Sequence, residues 1–243
     1  MSSGPTTSPP GTAAELDRLQ RQLGYRFSNP ALLQQALTHK SYSKDNNERL
    51  EFLGDAVLGY LIGHRLYRLE KQHAEDALSL MRANLVRGSS LADVAKRINL
   101  AACLRLGTGE RKSGGRQRNS ILADALEAVI GAIHEDKNGG IAACRTVVER
   151  LFEDRINGLD PQNLKDAKTR LQELLQAAAL DLPEYRVSQI EGADHQRAYT
   201  VTCEIPVLSI QCDATASSRR RAEQAAAARM LTLLADHPAL NGQ

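Results

Sequence analysis

Glu48, Glu51 and Asp55 stand in the run N-E-R-L-E-F-L-G-D-A-V-L at residues 47–58. On a helix, the i, i+3, i+7 spacing puts the first and last within roughly 20° of each other and the middle one roughly 60° away. Three carboxylates therefore share one face of a segment whose other positions are Leu50, Phe52, Leu53, Val57 and Leu58. A second pair, Asp124 and Glu127, lies at i, i+3 in S-I-L-A-D-A-L-E-A-V-I-G-A, among Ile121, Leu122, Leu126, Val129 and Ile130. Crowded anions repel, and burying each costs several kcal/mol unless cations compensate. Two such helices packed together would make Glu51, Asp55, Asp124 and Glu127 converge. Four convergent carboxylates suit a hard cation with oxygen ligands, Mg²⁺ above all. Such a centre lowers the pKa of a bound water and neutralises a phosphate in transit. The competing reading pairs these acids with Arg49, Arg82 or Arg87 as solvated surface charges, but the apolar flanks of both runs leave little polar surface for it.

The elements that must position these groups read as helix after helix. Thr12-Ala13-Ala14-Glu15 is a capping box that opens an amphipathic helix ended by Gly24. Asn29-Pro30 starts a short helix over 31–38. The 47–58 run is expected to continue to about residue 70, followed by helices over 76–87 and 90–98, a Gly-rich loop over 107–115, and helices over 120–136 and 141–155. Beyond a polar, turn-rich stretch the periodicity changes. A helix over 169–179, three strands over 184–191, 198–205 and 208–214, and an Ala-rich helix over 217–235 make an α-β-β-β-α unit. The expected organisation is a disordered tail at 1–12, an all-helical domain at 13–157, a flexible linker at 158–166, a small α+β domain at 167–237 and a tail at 238–243. The fold class is thus mainly α.

With 42% hydrophobic residues but only 4% aromatics and no Trp, the core must be filled by Leu, Ala, Ile and Val, which favours helix. No apolar run reaches the roughly 18 residues of a membrane span. The start is rich in Ser, Pro, Gly and Thr without an apolar stretch, unlike a signal peptide. Cys103, Cys144, Cys203 and Cys212 form no C-x-x-C pair and read as buried free thiols of a cytoplasmic protein, with Cys203 and Cys212 able to lie close on adjacent strands. Net charge is +2, divided as 22 basic against 19 acidic residues over 1–164 and 9 against 10 over 165–243. Any nucleic-acid binding must therefore come from local patches such as Arg219-Arg220-Arg221.

The run at 47–58 closely resembles the signature of the ribonuclease III family. A-L-T-H-K-S at 36–41, M-R-A-N-L-V at 81–86, L-G-T-G-E at 106–110, K-S-G-G at 112–115 and S-I-L-A-D-A-L-E-A at 120–128 match other parts of it in order, and the C-terminal unit resembles a double-stranded-RNA-binding domain. The resemblance spans about residues 15–236 and fits the short, two-domain bacterial class. It implies a homodimeric, Mg²⁺-dependent endoribonuclease, with Mn²⁺ as a substitute metal. The enzyme would cut double-stranded RNA to 5′-phosphate and 3′-hydroxyl ends and process ribosomal, messenger and transfer RNA precursors. By the same resemblance Glu51, Asp124 and Glu127 are direct metal ligands, Asp55 orients or activates the attacking water, and Glu127 bridges metal and chemistry. Glu48, Glu75 and Glu110 match secondary acidic positions, for which structural and functional roles stand equally open. His39 and Asn47 match motif positions and read as packing or hydrogen-bonding residues. Phe52 would pack into a partner subunit, the alternative being an intramolecular core residue.

A-form RNA is read by shape, 2′-hydroxyls and phosphates, which requires three contact regions on one face of such a domain. Thr169, Gln172 and Glu173 of the first helix, His195 of the 192–195 loop, and Ser218, Arg219, Arg220 and Arg221 at the start of the last helix supply them, the helix dipole adding to the charge. The family usually carries glycines just before that last helix, whereas this chain has Ala214-Thr215-Ala216. A turn with positive φ there would be strained by alanine, so a slightly different turn is expected, with RNA binding kept and its affinity at risk of being lower. The rival reading is a double-stranded-RNA-binding regulator with an inert nuclease domain, disfavoured because all four expected carboxylates are present.

Overall fold

The protein, described by a computed structural model, is resolved into secondary structure over residues 11–69, 71–193, 196–235 and 237, with Gln162 and Asn163 described by backbone alone. Local signals set the first helices. In α1 (Ala13–Leu23) the Thr12 N–H donates to the Glu15 carboxylate at 2.8 Å and the Glu15 N–H donates to Thr12 Oγ1 at 3.3 Å, while Gly24 closes the helix in the left-handed region at φ 72°. α2 (Pro30–Ala36) starts at proline, with Asn29 Oδ1 accepting from the Ala31 N–H. There follow α3 (Glu48–Leu69), α4 (Glu75–Val86), α5 (Gly88–Arg97), the single turn α6 (Leu100–Cys103) and α7 (Thr108–Lys112). A 3₁₀ turn (Gly115–Gln117) leads into α8 (Asn119–Glu135), then α9 (Gly140–Asn157) and α10 (Pro161–Leu164).

Two compact units part between Pro161 and Gln162. In the first, α8 is apolar nearly all round, and such a helix must be enclosed. From Ile121 to Ile133 it is buried except at Asp124 and Glu127, and α2, α3, α5 and α9 pack around it. The second unit consists of α11 (Ala167–Ala177), β1 (Glu184–Glu191), β2 (Ala198–Ile205), β3 (Ile210–Ala216) and α12 (Arg219–Leu234). Its strands form an antiparallel sheet in the order β1-β2-β3, with both helices against one face. Leu171 and Leu175 of α11 meet Cys203, Ile205, Ala226, Ala227 and Met230 in its core. Among the described residues no helix is long and apolar enough to cross a membrane. All four cysteines are buried and free, Cys203 and Cys212 standing directly opposite each other across β2 and β3.

Three expectations are corrected. The 107–115 segment is not a Gly-rich loop, because α7 and the 3₁₀ turn occupy most of it, with Gly114 joining them at φ 79°. The third strand begins at Ile210 rather than 208 because Pro206 starts a 3₁₀ turn that Ser209 closes in the left-handed region, φ 55°. No turn occupies 214–216. Ala214 and Ala216 lie in β3, paired with Val201 and Tyr199, and neither has positive φ, so alanine is unstrained there. The stretch 158–166 holds the single turn α10 and then Asp166, whose side chain caps α11.

Candidate metal centre and RNA-facing surfaces

A buried glycine in mid-helix is costly unless something needs the missing side chain. Gly54 of α3 and Gly131 of α8 have a reciprocal reason. A Cβ on Gly54 would overlap the carbonyl oxygen of Glu127, and one on Gly131 would overlap that of Leu50. The two helices therefore cross backbone on backbone. Glu51 and Asp55 flank the crossing on one side, Asp124 and Glu127 on the other. Sequence reasoning missed these two glycines; the available signal was their placement three and four residues after Glu51 and Glu127 inside strongly apolar helices.

The crossing brings one carboxylate oxygen each from Glu51, Asp124 and Glu127 within 4.8 Å of one another, and all three residues are partly buried. Burial raises the pKa of the Glu127 carboxyl, and the charges of Asp55, Asp124 and Glu51 raise it further, to about 8. Glu51 is pushed up by burial and then by Asp124, Glu48 and Asp55, with Lys40 opposing. Asp124 is raised by burial against the opposing effects of His39 and Lys40. Among the described residues none of Glu51, Asp55, Asp124 and Glu127 forms an ion pair with an arginine, so the surface-charge reading in which Arg49, Arg82 or Arg87 satisfies the acids does not describe the site. The donor set is hard, oxygen-only and short of positive charge, and one octahedral cation with bonds of about 2.1 Å can bridge oxygens at this spacing. The residues therefore fit a divalent metal ion.

Asp55 is exposed and outside this triad, yet its charge is the strongest of those acting on Glu127. Glu48 is exposed at the start of α3, accepting from Lys40 Nζ at 3.0 Å and from Asn46 Nδ2 at 3.3 Å. Glu75, exposed at the start of α4, accepts from Ser79 Oγ at 2.7 Å, and Glu110 pairs with Arg118 at 2.8 Å. Asn47 is buried; its N–H donates to Thr38 O at 2.9 Å and its carbonyl accepts from the Glu51 N–H at 2.8 Å, anchoring the first turn of α3. Phe52 is 81% exposed, beside a groove lined by Leu32, Gln35, Arg49, Leu53 and Glu135.

In the second unit the N-terminal ends of α11 and α12 are tied together. Asp166 Oδ1 accepts from the Thr169 N–H at 3.0 Å and from Gln224 Nε2 at 2.9 Å, and Lys168 Nζ reaches Glu223 at 2.8 Å. Lys168 also lies over the Tyr185 ring, 4.3 Å from its centroid. Gln172 and Glu173 are exposed on α11, Thr169 partly so, and Glu173 accepts from Lys165 at 2.7 Å. Ser218 caps α12, with Arg219, Arg220 and Arg221 exposed in its first turn. Arg219 pairs with Glu223 at 2.9 Å, Arg221 donates to Ser217 Oγ at 3.3 Å, and Arg220 extends the basic run. A groove between Arg197, Tyr199, Thr215, Ser217 and Arg219 joins the start of β2 to this helix end. His195 lies outside the described residues.

Two family models match the chain: Ribonuclease-III-like over residues 29–155 and Double-stranded RNA binding motif over residues 167–234. Ribonuclease 3 of Nitrosococcus oceani is 50% identical over 222 residues, covering 90% of this chain and 94% of that protein. Ribonuclease 3 of Hahella chejuensis is 50% identical over 222 residues, covering 91% and 97%. Among solved structures, a nuclease domain of Campylobacter jejuni ribonuclease III, described for its structural flexibility in a region involved in dimer formation, matches with TM-score 0.55 at 44% identity. That match covers 57% of this chain and 96% of the domain.

Proposed function

The chain belongs to the ribonuclease III family and is an endoribonuclease of double-stranded RNA, and from that premise we propose that Glu51, Asp124 and Glu127 hold Mg²⁺, which Mn²⁺ can replace. The observation that carries this reading is the trio of half-buried carboxylates within 4.8 Å, each raised by burial, with Glu51 and Glu127 raised further by neighbouring acids. A bound divalent cation supplies an acidified water and neutralises charge on the phosphate. The chain's own residues do the rest. Glu51 and Glu127 are fixed by the glycine crossing, Asp124 faces them from one turn earlier on α8, and exposed Asp55 orients the attacking water at the edge of the centre. Glu48 pairs with Lys40, Glu110 with Arg118 and Glu75 with Ser79 in this structure, which supports a structural role for these three acids.

Phosphodiester hydrolysis here leaves 5′-phosphate and 3′-hydroxyl ends. The duplex is held by Thr169, Gln172 and Glu173 on α11, by His195, and by Ser218, Arg219, Arg220 and Arg221 at the start of α12, where backbone N–H groups and guanidinium groups suit phosphates. Exposed Phe52 and its groove support a homodimer in which each protomer cuts one strand. Ribosomal, messenger and transfer RNA precursors in the cytoplasm are the expected substrates, and four reduced thiols suit that compartment. The inert-regulator alternative is not favoured. Purified protein incubated with a long perfect duplex should yield short duplex products with Mg²⁺ and none with excess EDTA. Equal cleavage under both conditions would rule out the metal centre.

A further inference from the structure

The loop between α2 and α3 carries two groups that the metal centre does not use. Lys40 is exposed, with its ammonium 3.0 Å from Glu48 Oε1. Glu48 shares the first turn of α3 with Glu51, so this pair brings the Lys40 charge to the α3 end of the carboxylate triad. His39 precedes it, within electrostatic reach of Asp124 and Glu48. The ring of His39 is held in one state by its neighbours. Its Nδ1 accepts from the Ser41 N–H at 3.2 Å and lies 2.8 Å from Ser41 Oγ. Ser41 Oγ itself accepts from the Gly107 N–H at 3.0 Å, which leaves the hydroxyl proton for Nδ1. An Nδ1 that accepts bonds carries no proton, so the imidazole proton sits on Nε2 and that nitrogen is a donor.

The loop is also pinned. The His39 N–H donates to Arg105 O at 3.0 Å, the Arg105 N–H to Leu37 O at 2.8 Å, and the Asn47 N–H to Thr38 O at 2.9 Å. Gln35 Nε2 donates to Asn46 O at 3.2 Å. The Asn47–Thr38 bond thus holds this loop at the first turn of α3, where Glu51 begins the centre, and brings an N–H donor and a cation to that end of it. Donors fixed before the reaction stabilise developing charge without reorganisation.

We propose that Lys40 Nζ and His39 Nε2 contact the non-bridging oxygens of the phosphodiester being cut, Lys40 turning from Glu48 to do so. The proposal rests on the metal-centre reading and adds the residues that hold the substrate against it. The phosphate is then gripped from two sides, by the centre and by the loop. Lys40 is a point charge on a flexible stem, suited to following the phosphate as charge develops.

The test is single-turnover cleavage of a synthetic RNA duplex with one scissile site, under saturating protein and Mg²⁺. Lys40→Ala should slow cleavage by about 10²-fold, the scale for removing one group that stabilises charge in the transition state, with duplex affinity unchanged. Lys40→Arg should recover part of the rate, and His39→Gln, which keeps an N–H donor, should outperform His39→Ala. Sulfur in place of a non-bridging oxygen at the scissile phosphate should slow wild-type protein more than Lys40→Ala, a readout that a merely structural role would not move. A Lys40→Ala rate close to wild type, or an identical sulfur effect in both proteins, overturns the contact. So does a loss fully reversed by excess Mg²⁺, which would assign Lys40 to charge balance on the carboxylates. Failure of the metal centre has a different signature, cleavage by Glu127→Ala, and would overturn this proposal with it.

Discussion

Glu127 and Glu223 are the same residue type on the same kind of helix, each tucked against a second helix, and they stand in opposite electrostatic states. Glu223 accepts from Lys168 at 2.8 Å and from Arg219 at 2.9 Å, and those bonds hold its carboxyl below the usual carboxylate range despite burial. Burial and then Asp55, Asp124 and Glu51 push Glu127 the other way, to about 8. One acid is satisfied by its own fold and ties α12 to α11. The other is left in a state that folding alone disfavours, which a helix crossing enforces and a cation would relieve. The lesson is that burial and the charge of the neighbours together separate an acid that builds structure from the acid assigned here to the metal centre.

The harshest way to break the comparison is to move the crossing itself. Gly131→Ala places a methyl group in the space held by Leu50 O, and α3 and α8 must separate. Thermal or urea unfolding should show a loss of about 3 kcal/mol or more. Duplex cleavage should fall even where the fold survives, while RNA binding by the second unit persists.

Removing charge from the two glutamates should change stability in opposite directions. Glu223→Gln should cost about 2 kcal/mol at pH 7, from weakened charge-assisted bonds. The Glu223 contribution is present above the ordinary glutamate value of 4.5 and is lost as pH falls through the lower folded value. Glu127→Gln in metal-free buffer should gain on the order of 2 kcal/mol near pH 8. With a folded value near 8 against 4.5, the wild-type carboxyl costs nothing below about 4.5 and destabilises increasingly as pH rises towards 8. Urea unfolding of both variants across pH 4–8 checks the two signs; parallel curves would erase the distinction.

Smaller effects sharpen the picture of the RNA-facing unit. Arg220→Ala should weaken binding to duplexes of any sequence alike and reduce the salt slope of log affinity by about 1, as expected for one phosphate contact. A fluorescence-anisotropy titration at several salt concentrations measures it. Ala216→Gly, which restores the family's common residue, should lower stability by about 0.5 kcal/mol in a strand and leave RNA affinity unchanged. Tighter binding by that variant would show that the alanine does restrict the approach to α12.

Much of this was legible along the chain because it is local. Thr12 with Glu15, Asn29-Pro30, and the 3.6-residue pattern around Glu51 and Asp124 are signals carried within a few residues, and the helices they announce are present. The convergence of Glu51, Asp124 and Glu127 could be argued because carboxylates on core-like faces have few other outlets. The glycine crossing could not, since Gly54 and Gly131 acquire meaning only when their helices meet. Nor could the His39–Ser41–Gly107 chain, which joins residues 66 apart through a side chain. The 107–115 segment was misread because its glycines mask a five-residue helix, and 214–216 because a family's usual glycines suggested a turn where this chain continues a strand.

The most direct test of the account is the melting temperature of wild type and Glu127→Gln, titrated with MgCl₂ at constant ionic strength and pH 8. A cation held by Glu51, Asp124 and Glu127 binds only the folded state, so wild type should climb with Mg²⁺ while the variant starts higher and stays nearly flat. Wild type that does not respond to Mg²⁺, or a variant that responds as strongly, would contradict the assignment of the α3–α8 crossing as a metal centre.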